Sequence, residues 1–384
     1  MTIAASHLGL NVAGWMLVTG GMSAAVTALT IRYARHRRML DLPGQRRSHS
    51  IPTPRGGGLG IVVAVFVCVL PLMFVAFSSP HSAVNAAVLV GIALLVVATS
   101  GWIDDHRGLR ARYRFAAHCV AGGLLLVPAL DCISSIAAII VTPGWGMLIL
   151  FMAMALGLLL AIVWSINLHN FMDGINGLLA SQSIFVFSAL AVLGLLFGRS
   201  PGWTAALATA AAVFGFLPFN FPKARVFMGD VGSGALGLLV AVAVLYQLGD
   251  RSLDAATGLI ACSAFVTDAT VTLLSRMLRG RRWYDAHREH LYQGLVRSGY
   301  SHARVVGFYL GWNVLIALPA MLLIQSPRSV MAVDSSPLQA NPLQVSAGGL
   351  IVLLAVYSLA FVMWIFGKRH CLQRARRGGK NGLA

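Results

Sequence analysis

Positive charge is distributed along this chain in a way that leaves few architectures open. Eleven long apolar segments are read at about 11–31, 59–77, 83–102, 115–130, 146–166, 177–197, 202–219, 233–249, 254–275, 305–325 and 345–366. Of the 29 Lys and Arg residues, 26 lie in the loops after odd-numbered segments or in the C-terminal tail. The opposite loops hold only Arg199, Arg251 and Arg328. Loops rich in Lys and Arg stay in the cytoplasm, so the bias places the N-terminus outside and the tail inside. The expected fold is an all-α integral membrane protein of about eleven transmembrane helices, with its polar motif loops on the cytoplasmic face. Segment 115–130 is short for a span, which needs about 20 residues, and 131–144 is apolar enough to dip into the interface.

The composition agrees: 58% of residues are hydrophobic and 11% charged, against about 25% charged in soluble domains. A net charge of +17 is here the charge that orients a membrane protein beside anionic headgroups, so nucleic acid is not the expected partner. The N-terminus has no basic n-region or small-residue cleavage site, and segment one is expected to be retained. The five cysteines have no paired spacing and read as small apolar residues. Residues 1–384 read as one polytopic membrane domain, with a motif core at 46–300 and a basic, mobile tail at 367–384. There are twelve acids, and seven of them fall in cytoplasmic loops. That concentration suggests a bound cation.

Five stretches carry more polarity than loops require. R-R-S-H-S-I-P-T-P-R-G-G-G-L-G at 46–60 combines rigid prolines with glycines that permit close approach; a simple basic anchor is the alternative. Asp104 and Asp105 end segment three beside Arg107, Arg110, Arg112 and Arg114. Adjacent carboxylates at a membrane boundary need cationic compensation, from a metal or from these arginines in a structural ion-pair knot. N-L-H-N-F-M-D-G-I-N-G-L at 167–178 places Asn170, Asp173 and Asn176 in a loop without Lys or Arg, which favours binding over a plain turn. F-N-F-P-K-A-R-V-F-M-G-D-V-G-S-G-A-L-G at 219–237 sets Asp230 among glycines at a helix start, with Lys223 and Phe227 nearby. Such an N-terminus suits phosphate, and the carboxylate suits Mg²⁺ shared with phosphate oxygens. The alternative is a simple N-cap. Finally, R-G-R-R-W-Y-D-A-H-R-E-H-L-Y-Q at 279–293 offers Arg288, His287 and His290 to phosphates. The two histidines have helical i, i+3 spacing, but zinc lacks a third strong ligand. Asp268, about two turns inside segment nine, is expected to face polar residues of a cytoplasmic cavity.

The order P-T-P-R-G-G-G, D-D, N-F-M-D-G-I-N-G, F-M-G-D-V-G-S, H-R-E-H resembles the polyprenyl-phosphate N-acetylhexosamine-1-phosphate transferases, the bacterial glycosyl transferase family 4. The last motif looks like the O-antigen-initiating branch. The resemblance implies transfer of an N-acetylated (deoxy)hexosamine-1-phosphate from a UDP-sugar to undecaprenyl phosphate in the bacterial inner membrane. Its products are UMP and a lipid-linked sugar diphosphate. It implies Mg²⁺, with Mn²⁺ as a substitute, a periplasmic N-terminus, and a homodimer. It assigns the metal to Asp230 together with Asp173, nucleotide and diphosphate contacts to Asn170, Asp173 and Asn176, and uracil stacking to Phe227. One of Asp104 and Asp105 meets the lipid phosphate, and Arg288 and His290 cover the sugar nucleotide. The family commonly has D-G-I-D-G, where this chain has Asn176. Other branches carry further histidines where this chain has Tyr292 and Gln293, which argues against the peptidoglycan-precursor and N-acetylglucosamine branches.

Direct displacement by the lipid phosphate is the expected mechanism, with a covalent phospho-aspartyl intermediate as the other route. The phosphate is mostly dianionic at neutral pH, so a general base at Asp104 or Asp105 is not required. A transporter of nucleotide sugars or lipid-linked sugars is the competing class. It calls for polar residues across several spans, whereas polarity here gathers at one face.

Overall fold

A computed structural model describes residues 12–41, 52–76, 86–141, 144–198, 202–250, 253–281, 287–325 and 346–381. Parts of several expected features lie outside these residues: 46–51 of the first motif, Arg199, Arg251, Arg328, and Trp283-Tyr284. Among the described residues nine helices are long and apolar enough to cross a membrane. They are α1 (Val12–His36), α2 (Leu59–Ala76), α3 (Ala86–Arg107), α6 (Trp145–Met172), α7 (Leu178–Phe197), α8 (Trp203–Asn220), α9 (Asp230–Asp250), α13 (His302–Gln325) and α14 (Ala347–Asn381). Two of the eleven expected segments take other forms. Segment four is α4 (Ala111–Leu126), whose 16 residues reach only about 24 Å at 1.5 Å per residue. Segment nine is broken at Cys262 into α10 (Ala256–Ala261) and α11 (Ser263–Leu278). A turn at Pro128 leads from α4 into the short α5 (Leu130–Ile140), and α12 (Leu291–Arg297) follows the last motif.

Helix α9 is the axis of the assembly. Every residue from Val231 to Val242 is buried, as an all-round apolar helix must be inside a bundle. It packs between α3 and α6. Small residues set these crossings: a Cβ on Gly237 would lie 2.7 Å from Ile166 Cα, and one on Gly101 2.5 Å from the Asp230 carbonyl. The Ser165 hydroxyl donates to the Gly237 carbonyl at 2.7 Å. Close backbone approach replaces the hydrophobic effect as the driving force for association in lipid. The result places the N-terminus of α9, with Asp230, in the middle of one end of the bundle.

Two further elements build that end. Strands β1 (Leu40–Asp41) and β2 (Thr53–Pro54) pair antiparallel, Leu40 opposite Pro54. The first motif then docks on the fourth: Phe227 N–H donates to Pro54 O (2.8 Å), and Gly57 and Gly58 N–H donate to Phe227 O (2.9 Å) and Met228 O (2.8 Å). A Cβ on Gly57 would sit 2.8 Å from Val226, and one on Gly58 would collide with Gly232 Cα. The glycine run is thus a backbone-to-backbone seat. Helix α14 runs on into the basic tail, as far as Asn381. Two of its basic side chains have partners: the Lys368 ammonium donates to the Glu289 carbonyl, and the Arg374 guanidinium lies 4.8 Å from the Tyr300 ring centre.

Candidate active site

The C-terminal end of α6, the N-terminal end of α9, β1, the turn after β2 and α12 surround one open cleft of about 660 Å³. Asn170 and Asp173 come from the end of α6, and Asn176 from the loop that follows. Phe227, Asp230 and Ser233 come from the fourth motif. His287, Arg288, Gln293 and Arg297 form the wall contributed by the last motif. Four of the five motif stretches therefore meet in one site: the third, the fourth and the last, and the first through Arg55.

Local chemistry explains each position. Gly177, with φ +76°, starts α7, and its N–H donates to Asn220 Oδ1 at 2.7 Å, which pins the third motif to the fourth. The Asn176 side-chain amide adds a bond to the Pro222 carbonyl at 3.2 Å. A carboxylate could not donate there, so the amide suits this place. The Asn170 amide donates to the Ser233 hydroxyl at 3.0 Å, tying α6 to the first turn of α9.

The aspartate pair splits by role. Asp105 has no side-chain exposure and accepts the N–H groups of Asp230 (3.1 Å) and Val231 (3.2 Å). It satisfies orphan donors at the start of α9 from a neighbouring helix. Gly229, at φ +77°, lies so close that a Cβ there would meet the Asp105 carboxylate. Asp104 accepts the Leu109 N–H and pairs with Arg114 at 2.9 Å. The same Arg114 nitrogen reaches Asp230 at 2.8 Å. Arg55 lies 3.7 Å from Asp105 and 4.0 Å from Asp230. Asp104 and Asp105 thus stand behind the cleft wall. The ion-pair alternative describes their surroundings.

Three expected substrate contacts sit elsewhere. His290 is only 3% exposed, with its ring near those of Phe171, His287 and Tyr292. His287 faces the cleft instead. Helix α12 begins only at Leu291, so the helical i, i+3 relation of the two histidines does not form. Lys223 and Arg110 are exposed and lie outside the cleft lining. Asp268 has the polar neighbours expected of it but does not line this cleft; hydrogen-bond donors enclose it. Arg55, Gln293 and Arg297 line the cleft although reading the sequence did not single them out as site residues. Arg55 sits inside a recognised motif and was legible from it. Arg297 becomes visible only once α12 places it four residues, one turn, after Gln293.

The field in the cleft is uneven. Burial pushes the Asp173 carboxyl well above the usual range, and the charges of Asp230 and Asp105 push it the same way, against Arg55. Burial brings His287 down to about 4, assisted by His290 and Arg276, so it is neutral at pH 7. Glu289, outside the cleft, is held below its ordinary value: burial opposes this, but Arg281 and Arg276 prevail. The cleft lining thus combines carboxylates (Asp41, Asp173, Asp230) with guanidinium groups (Arg55, Arg288, Arg297). Among the described residues there is no group of three or more His, Cys, Asp or Glu residues that could hold a metal.

Comparison with known proteins gives the same direction. The family model for glycosyl transferase family 4 matches residues 86–247. The decaprenyl-phosphate N-acetylglucosaminephosphotransferase of Mycobacterium tuberculosis is 31% identical over 368 residues, covering 86% of this chain and 88% of the relative. The phospho-N-acetylmuramoyl-pentapeptide-transferase of Moorella thermoacetica is 30% identical over 293 residues, 72% of this chain and 87% of the relative. A probable undecaprenyl-phosphate N-acetylglucosaminyl 1-phosphate transferase of Bacillus subtilis is 27% identical over 316 residues, 77% of this chain and 82% of the relative. With the motif loops gathered at one cleft and similarity running through most of its length, the chain belongs to glycosyl transferase family 4.

Proposed function

We propose that this membrane enzyme transfers an N-acetylated hexosamine-1-phosphate or deoxyhexosamine-1-phosphate from a UDP-sugar to undecaprenyl phosphate. The reaction takes place on the cytoplasmic face of a bacterial inner membrane and starts O-antigen or a related surface glycan. The observation that carries the reading is one cleft lined by Asp173 and Asp230 and by Arg55, Arg288 and Arg297, at the end of a membrane bundle. A site for a diphosphate needs both: carboxylates for the cation that accompanies it, and guanidinium groups for its oxygens. Two of the three relatives above are named for N-acetylglucosamine, so UDP-N-acetylglucosamine heads the donor panel.

Mg²⁺, with Mn²⁺ as a substitute, fits the residues present. Asp173 is disfavoured as a carboxylate by burial and by neighbouring negative charge; Asp173 and Asp230 would hold the cation, and its charge would relieve that cost. Held by these residues, the ion would supply positive charge to the diphosphate. The chain's own groups do the rest. Arg288 and Arg297 hold phosphate oxygens, and Phe227 offers a ring face to the base. Arg114 orients the Asp230 carboxylate from behind. A lipid phosphate oxygen attacks the β-phosphorus; the bond from that phosphorus to the bridging oxygen breaks, and UMP leaves with the electron pair. Because the phosphate is already largely dianionic, no protein base is required. Proximity and electrostatic complementarity supply the acceleration.

A peptidoglycan-precursor transferase is the second reading, favoured by the Moorella relative. Purified protein in detergent is assayed for Mg²⁺-dependent UMP release with undecaprenyl phosphate, UDP-N-acetyl sugars and UDP-N-acetylmuramoyl-pentapeptide. Release with one hexosamine donor and its loss on chelation support the proposal. Release only with the pentapeptide donor selects the second reading, and release with none rejects both.

A further inference from the structure

Asp268 is a buried acid of α11, 2% exposed, and the chemistry above does not use it. Five donors surround it. Its Oδ1 accepts the Leu291 N–H (2.7 Å), the Trp364 indole N–H (3.1 Å) and the Thr272 hydroxyl (3.3 Å). Its Oδ2 accepts the Tyr309 hydroxyl (2.7 Å) and the Tyr292 N–H (3.3 Å). These donors are neutral and belong to four helices: α11 itself, α12, α13 and α14. A buried carboxylate is retained at high desolvation cost only where such bonds fill its lone pairs.

What Asp268 holds is the first turn of α12. Leu291 and Tyr292 donate to it directly, while Gln293 and Arg297 of the same helix face the cleft. Tyr292 carries the connection onward. Its ring is fully buried and its hydroxyl donates to the Phe171 carbonyl at 2.8 Å, two residues before Asp173. A Cβ at Gly174 would collide with that hydroxyl. The preceding loop has its own tie to α11, the Arg276–Glu289 ion pair. A path of direct contacts therefore runs from Asp268 through Tyr292 to the end of α6.

We infer that Asp268 is a positioning residue. Its carboxylate seats α12 so that Arg288, Gln293 and Arg297 face the sugar-nucleotide donor, and it has no part in binding the lipid phosphate. The inference rests on the proposed transferase reading and adds a side to it: α12 is the donor wall. Replacing the carboxylate by an amide presents an N–H₂ to N–H and O–H donors, so α12 loses at least one bond and shifts.

The test compares wild type with Asp268→Asn and Tyr292→Phe in detergent. It reads steady-state constants for both substrates and, separately, hydrogen exchange of the unliganded proteins. For Asp268→Asn the expected result is a KM for the UDP-sugar raised about tenfold, equivalent to ~1.4 kcal/mol. The KM for undecaprenyl phosphate stays within about twofold. Exchange accelerates at 287–297 and stays unchanged in α9. Tyr292→Phe keeps the Asp268 bonds and removes the hydroxyl that donates to the Phe171 carbonyl and accepts the Gln293 amide at 3.2 Å; it should raise the donor KM by a smaller factor. A folded Asp268→Asn protein with normal exchange at 287–297 overturns the inference, as does an equal rise in both KM values. If Asp268→Asn does not fold, Tyr292→Phe decides alone: an unchanged donor KM overturns the inference. If wild type shows no transfer, the transferase reading fails. The exchange arm then still tests whether Asp268 seats α12, and normal protection in Asp268→Asn overturns that too.

Discussion

Asp105→Asn separates two readings of the aspartate pair. In the structure both Asp105 oxygens are occupied by backbone donors at the start of α9, at 3.1 Å and 3.2 Å, and the side chain has no exposure. The carboxylate is therefore a cap for α9, which presents Asp230 to the cleft. The amide keeps one acceptor oxygen and turns an N–H₂ toward the other N–H. One hydrogen bond to a charged group is lost, worth ~1.5–3 kcal/mol. A cap substitution costs about 0.5–2 kcal/mol, so a loss near 2 kcal/mol is expected. Arg55, at 3.7 Å, also loses a charged neighbour. Two assays read the variant: thermal unfolding in detergent, and the pH dependence of UMP release. The expected outcome is a lower melting temperature and a slower reaction whose pH profile keeps its shape, because no titrating base has been removed. Unchanged stability together with loss of the acidic limb of the profile would refute the cap argument and restore Asp105 as a general base.

Other consequences are equally direct. Asp230→Asn should lower UMP release by at least ~100-fold while the protein stays folded; turnover near wild type, or turnover insensitive to Mg²⁺ in the wild type, removes the metal from the proposal. His287 is held near 4 in the fold, against 6.5 in the unfolded chain. Its contribution to stability is therefore full above pH 6.5 and is lost as the pH falls toward 4. His287→Gln should flatten the decline of the melting temperature in that window, and an unaltered decline counts against the assignment. Gly58→Ala places a methyl against the Gly232 backbone, which no side-chain rotation relieves, so a loss of about 1–3 kcal/mol or more is expected in chemical unfolding. A fully stable Gly58→Ala variant would mean the seat of the first motif on the fourth is looser than its hydrogen bonds indicate.

How far the sequence could be read follows from which forces act locally. Hydropathy reports burial in lipid residue by residue, so nine of the expected segments appear as long apolar helices. The break of segment nine at Cys262 left no such signal, because a helix interrupted by one residue has the same composition as an unbroken one. The meeting of the motif loops was legible because charge bias placed them at one end, where a small bundle has room for one site. The depth of each residue within that site was not. Asp104, Asp105 and His290 have the composition of reactive groups, yet they stand one layer behind Asp230, Asp173 and His287. Depth depends on helix crossings at Gly101 and Gly237, and on α12 beginning at Leu291 rather than earlier. Asp268 shows the limit most clearly. An acid within a span marks something that must offset its desolvation, and the sequence alone favours a polar cavity. The structure offsets it with donors from four helices, two of them the N–H groups that begin α12. The same carboxylate cost accounts for a binding site or for a joint. Only the direction of the surrounding N–H bonds tells them apart.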